Sequence, residues 1–151
     1  MRVKANFASA AGLDVLNDFY HSSLGSFDYI SIHDVFSHIP NPLAFFQDVR
    51  AGLNKGGYVI IETGNLADMA RRSDFPGDLG LPDHMIFAGT NNIRMLLEKN
   101  GFEIVSLNGF RIDGLLYFLK NIVKYAIGRK VVLRLPYTSK YRTLIILAKA
   151  V

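Results

Sequence analysis

The sequence predicts an α/β domain built on a mainly parallel sheet. Runs of strand length alternate with segments of helical spacing along most of the chain. One run, YVIIE at 58–62, is apolar almost throughout, which suits a sheet covered on both faces. Within residues 27–65 a strand pattern, a polar turn, a helix, a Gly-Gly turn and a second strand follow in close order.

Each element has a local reason. Residues 3–7 (VKANF) form a short β-prone run. Leu13, Leu16 and Tyr20 have helical spacing, with Gly12 weakening the start of that brief helix. HSSLGS at 21–26 is a turn cluster, and the Phe, Tyr and two Ile of 27–32 make a strand. Asn41 is suited to cap a helix whose first position is Pro42. Leu43, Phe46, Val49 and Leu53 then share a face, and Lys55-Gly56-Gly57 is expected to end the helix. Residues 66–72 read as a helical turn and 73–83, rich in Pro, Gly and Asp, as a loop. A helix from Thr90 to Asn100-Gly101 leads into a strand at 102–107.

Asp113 is placed to cap a longer helix reaching about Ile127. Tyr117, Lys120, Asn121 and Lys124 fall on one side of it. Leu115, Leu116, Phe118, Leu119, Ile122, Val123 and Ile127 form a wide apolar stripe. This helix has two readings: an interfacial amphipathic helix with Arg129, Lys130 and Arg134 behind it, or a cover over the substrate mouth that buries its stripe. The need of an apolar sheet for helices on both faces favours the cover. A strand at 143–151 closes a single domain spanning 1–151.

Composition narrows the chemistry. Half of the 151 residues are hydrophobic, enough for a real core. The absence of cysteine excludes disulfides, thiolate metal sites and a cysteine nucleophile. The four histidines lack a helical metal-ligand spacing such as HExxH, so no metal is expected. No secretory signal or membrane-spanning run is evident, and a soluble cytoplasmic protein is the expectation. Charge is uneven: residues 1–112 carry net −3 and residues 113–151 net +7. The basic end suits either a solvated face or an anionic partner.

Residues Phe27-Asp28-Tyr29-Ile30, then Asp34-Val35-Phe36-Ser37-His38-Ile39 and Asn41-Pro42, carry a resemblance. So do Leu53-Asn54-Lys55-Gly56-Gly57 before a strand, and His84, Phe87, Leu96-Leu97-Glu98-Lys99 and Gly101-Phe102-Glu103 further on. In this order they resemble the class I S-adenosylmethionine-dependent methyltransferases, from that family's third strand to its end. Ser37 stands where the family usually has an acidic residue. The family's first strand, its Asp/Glu-x-Gly-x-Gly cofactor loop and the acidic end of its second strand have no counterpart here.

The resemblance implies a Rossmann-like sheet without its N-terminal strands, ending in an antiparallel hairpin. It implies methyl transfer from S-adenosylmethionine to a small-molecule acceptor at oxygen or nitrogen. By resemblance Phe7 and Ala8 edge the adenine, Ile32 and His33 lie at the methionine and ribose, and Asn65 faces the acceptor. His33 and His84 are candidate general bases, since an imidazole titrates near neutral pH and the acceptor must lose a proton. His33 alternatively packs against the cofactor. Asp34 and His84 are candidate substrate contacts, Asp34 alternatively bonding only its own turn. His38 is expected to fix the strand-to-helix turn by hydrogen bonding.

Three further expectations concern partners. A non-catalytic module would pair with a second copy or a complementing N-terminal half, through an exposed edge at strand 3–7. A peripheral membrane contact would use the basic end. No nucleic acid partner is expected.

Overall fold

The computed structural model describes residues 2–16, 18–69, 79, 81–110, 114–131, 133 and 142–151. In chain order the helices are α1 (Arg2–Ala10), α2 (Pro42–Ala51), α3 (Thr90–Lys99) and α4 (Leu115–Ala126). The strands are β1 (Phe27–His33), β2 (Leu53–Gly64), β3 (Phe102–Phe110) and β4 (Thr143–Ala150). They form one open sheet in the order β1-β2-β4-β3. β1 runs parallel to β2, while β4 is antiparallel to both β2 and β3. Three strands thus share one direction and β4 alone opposes them. The expected antiparallel pairing of the last two strands is present, with α4 rather than a tight turn in the connection between them.

Alternation along the strands builds the core. Leu53, Val59 and Ile61 of β2 and Leu144, Ile146 and Ala148 of β4 are buried on one face. Phe46 and Val49 of α2 and Ile93 and Leu97 of α3 pack onto that face in the same cluster. Asn41 caps α2, its Oδ1 accepting from the Ala44 N–H at 3.2 Å. α3 starts against Asp68, whose Oδ2 accepts from the Thr90 N–H at 2.9 Å and from its hydroxyl at 2.5 Å. That places a carboxylate at the positive end of the helix.

The opposite face is less covered than the apolar run at 58–62 suggested. Tyr58, Ile60, Ile145 and Leu147 are half-buried there, and Tyr29 stacks on Tyr58 while remaining largely exposed.

Three local expectations are corrected. Residues 3–7 lie in α1, not in a strand. A lone β-prone run satisfies its backbone groups only beside another strand; a helix satisfies them internally, and the alanines of ANFASA favour it. The edge proposed at 3–7 is therefore not there. Among the described residues of 13–20 there is no helix, because Gly12, at φ +84°, has already ended α1.

Lys55-Gly56-Gly57 does not terminate α2, which stops at Ala51 with Gly52 as its cap. Leu53 is drawn into the core at once, and Asn54–Gly57 bulge out of the pairing between β1 and β2, which jumps from Phe27↔Leu53 to Tyr29↔Tyr58. Gly56 supplies the positive φ of +78° that the bulge needs. Asp28 anchors the bulge, its Oδ1 accepting from Asn54 Nδ2 at 2.8 Å. The Asp113 cap, residues 70–72 of the expected turn, and 73–78 and Gly80 of the expected loop lie outside the described residues.

Candidate active site

β1 and β2 run side by side, with His33 opposite Glu62 in the register. Parallel pairing thus brings the last residue of β1 beside a residue two positions before the end of β2. His33 Nδ1 lies 2.9 Å from Glu62 Oε2, with side chains 58% and 37% exposed. A carboxylate only accepts, so Nδ1 carries the proton and Nε2 of the neutral ring keeps a lone pair. Asp34 then turns the chain away from the sheet in a left-handed conformation, φ +51°, which Asp tolerates better than most residues. Its N–H donates to the Glu62 carbonyl at 3.1 Å. The result is an exposed ledge holding one imidazole and two carboxylates.

A pair of histidines stands beyond the turn that follows β1. His38 ends the 3₁₀ turn Phe36–His38. It does not fix its own turn as expected; its Nδ1 donates to the Asp83 carbonyl at 2.9 Å, reaching across to a distant loop. His84 Nδ1 donates to the Leu79 carbonyl at 3.0 Å. The two rings meet edge to face, centroids 4.7 Å apart. The Ser37 carbonyl accepts from the N–H groups of Met85 and Ile86, fastening that loop along the turn. Both Nδ1 atoms face carbonyls, so both rings, when neutral, also present Nε2 as an acceptor.

Of the residues singled out in the sequence, His33 and Asp34 share the ledge, and His84 joins His38 at the neighbouring turn. Ile32 is 5% exposed and its side chain belongs to the core, leaving only its backbone at the strand end. Asn65 is buried and engaged in the fold, its N–H donating to the Arg142 carbonyl at 2.8 Å. Phe7 and Ala8 sit on α1, which packs extensively on no described element, and Phe7 is 79% exposed.

Glu62 has no role of its own among the sequence expectations, although its signal was present: His33 directly follows the predicted run at 27–32, Glu62 closes the run at 58–62, and neighbouring parallel strands bring such ends together. Among the described residues no group of three or more His, Asp or Glu side chains is arranged to hold a metal ion.

A family profile described as "Methyltransferase domain" matches residues 3–107, and the chain belongs to that family. No curated protein sequence matches. Solved structures share the fold. A Galdieria sulphuraria protein assigned as a sarcosine dimethylglycine methyltransferase superposes with TM-score 0.65 at 15% identity, over 98% of this chain and 64% of that one. An S-adenosylmethionine-dependent methyltransferase from Mesorhizobium loti gives 0.58 at 16% identity, over 94% and 73%. The phosphoethanolamine N-methyltransferase 2 of Haemonchus contortus, solved in complex with S-adenosyl-L-methionine, gives 0.61 at 15%, over 88% and 34%. The chain thus has the Rossmann-like methyltransferase fold and spans just under two thirds of the first of these proteins.

Proposed function

We propose that the chain carries the methyl-facing and acceptor-facing side of an S-adenosylmethionine-dependent methyltransferase acting on a small molecule at oxygen or nitrogen. The observation that carries the reading is the His33–Glu62 pair at the joined ends of two parallel strands, where open α/β sheets bind their ligands. The ledge fits a cationic ligand, since Glu62 and Asp34 put two carboxylates beside the imidazole.

S-adenosylmethionine, when bound, supplies a methyl group on a sulfonium sulfur. His33 Nε2 would take the proton that the acceptor hydroxyl or amine gives up on methylation. Glu62 holds the ring in the tautomer that leaves Nε2 free, and its charge stabilises the imidazolium. Asp34 and the His38–His84 pair offer polar contacts to the acceptor.

Titration calorimetry of the 151-residue chain with S-adenosylmethionine tests binding, and transfer of labelled methyl to a panel of hydroxylated and amino metabolites tests chemistry. His33→Ala is expected to lower kcat by about a hundredfold or more with little change in cofactor affinity. A folded sample that gives no binding heat overturns the stand-alone enzyme, and a His33→Ala variant with full turnover overturns the role of His33 as base.

A second reading is supported by one further observation. Among the described strands β1 pairs with β2 alone, so its far edge presents unpaired N–H and C=O groups, an invitation to strand addition. In this reading the chain is a methyltransferase-like module that a complementing half or a second copy completes at β1. Light scattering that finds only monomer, together with cofactor binding by that monomer, removes it.

A further inference from the structure

Helix α4 has the strongest amphipathic pattern of the described helices, and it turns Asn121 inward and most of its apolar stripe outward. Asn121 is its buried residue, while Leu116 is 84%, Val123 62% and Ile127, just past its end, 66% exposed. Leu115, Leu119 and Ile122 are exposed as well. At 3.6 residues per turn these six side chains cover an arc about 140° wide, opposite Asn121. The arc runs the length of the helix, about 18 Å at 1.5 Å per residue. α4 packs extensively against no described element, and the hydrophobic core takes no residue from it. The expectation that the stripe is buried as a cover over the domain is therefore overturned.

Cations border this apolar face. Lys120 and Lys124 follow one margin of the arc, and Arg129 and Lys130 come directly after the helix. With Tyr125, Gly128 and Val131 the latter two line an open cleft of about 720 Å³. The whole segment from 113 to the end carries net +7. A second copy docking here would bring two such basic surfaces together, and like charges oppose that. An anionic bilayer satisfies both halves of the surface at once, acyl chains taking the arc and headgroup phosphates the cations.

We propose that α4 is an interfacial anchor that lays the protein on anionic membranes, its apolar arc sunk among the headgroups and Lys120, Lys124, Arg129 and Lys130 contacting their phosphates. The anchor is independent of the methyl-transfer reading. No described helix is long and apolar enough to cross the membrane, so the contact is peripheral.

Co-sedimentation of the full chain with phosphatidylcholine vesicles, with and without phosphatidylglycerol and at low and high salt, tests it. Binding is expected only with the anionic lipid and weakens at high salt. Leu116→Asp with Val123→Asp changes only exposed positions, so unfolding midpoints should hold while binding falls by about tenfold or more. Arg129→Gln with Lys130→Gln should cost about twentyfold. Three results overturn the anchor. The wild-type chain stays in the supernatant with anionic vesicles at low salt; or the folded aspartate variant binds as well as wild type; or light scattering shows a wild-type dimer that the aspartate substitutions split, giving the face to a second copy.

Discussion

Helices α2 and α4 are of similar length, 10 and 12 residues, and both are two-faced, yet they turn opposite faces to the protein. α2 seats Phe46 and Val49 in the core and leaves Gln47 to solvent. α4 turns Asn121 inward and Leu116 outward. Amphipathic spacing establishes that a helix has two sides; which side meets the domain depends on whether an apolar surface remains to receive it. Phe46, Val49, Ile93 and Leu97 already fill the core face of the sheet. α4 adds no residue to that core and packs extensively against no described element.

The sharpest way to break this contrast is to cut one large apolar side chain from each helix. Phe46 is 1% exposed and touches Phe36, Phe45 and Phe102 in ring contacts. Phe46→Ala should destabilise the protein by about 3–5 kcal/mol, through lost burial and the cavity left behind. Leu116→Ala should stay within about 0.5 kcal/mol, because there is no burial to lose. Urea unfolding of both variants decides it; a Leu116→Ala cost approaching that of Phe46→Ala would mean that α4 is packed after all.

The same contrast explains what the sequence could and could not reveal. α2 and β1 were legible because their signals are local: the Asn41-Pro42 start, the apolar spacing, the β-branched and aromatic run. Residues 3–7 misled because a strand needs a neighbour, and no local pattern says whether one is present. Lys55-Gly56-Gly57 misled because a left-handed glycine serves a helix end and a strand bulge equally well. The His33–Glu62 contact follows from parallel register, which the pattern implied but which could be fixed only once β1 and β2 were known to be neighbours. The approach of His38 to His84 depends on the path of the intervening chain, which sequence spacing does not encode.

Capping gives a smaller test. α2 is capped by the Asn41 side chain, whereas α4 begins at Gly114 with no side-chain cap. Asn41→Ala should cost about 1 kcal/mol in urea unfolding, while Gly114→Ala, which removes no side-chain hydrogen bond, should cost less. Equal losses would show that α4 depends on its start as much as α2 does.

The smallest effect lies where α2 is sealed at its C-terminal end. Tyr20 packs edge-on against Phe45, and its Oη sits so close over Gly52 that a Cβ there would overlap it. That hydroxyl is buried without a hydrogen-bond partner among the described residues. Tyr125 of α4, by contrast, is exposed. Burial, and secondarily the nearby Asp48 carboxylate, push the Tyr20 pKa above the ordinary tyrosine value. Up to about pH 10 Tyr20 is neutral in both states and its contribution to stability is complete. Above that pH the unfolded chain releases the proton while the folded protein retains it, so stability falls until the raised folded pKa is passed. Tyr20→Phe keeps the ring, removes the unpaired hydroxyl and should be neutral or stabilising by about 1 kcal/mol at pH 7. It should also flatten the alkaline loss relative to wild type, whereas Tyr125→Phe should leave that slope unchanged. Unfolding midpoints at neutral and alkaline pH separate the outcomes: a Tyr20→Phe profile as steep as wild type would mean that the seal on α2 does not hold the phenol neutral.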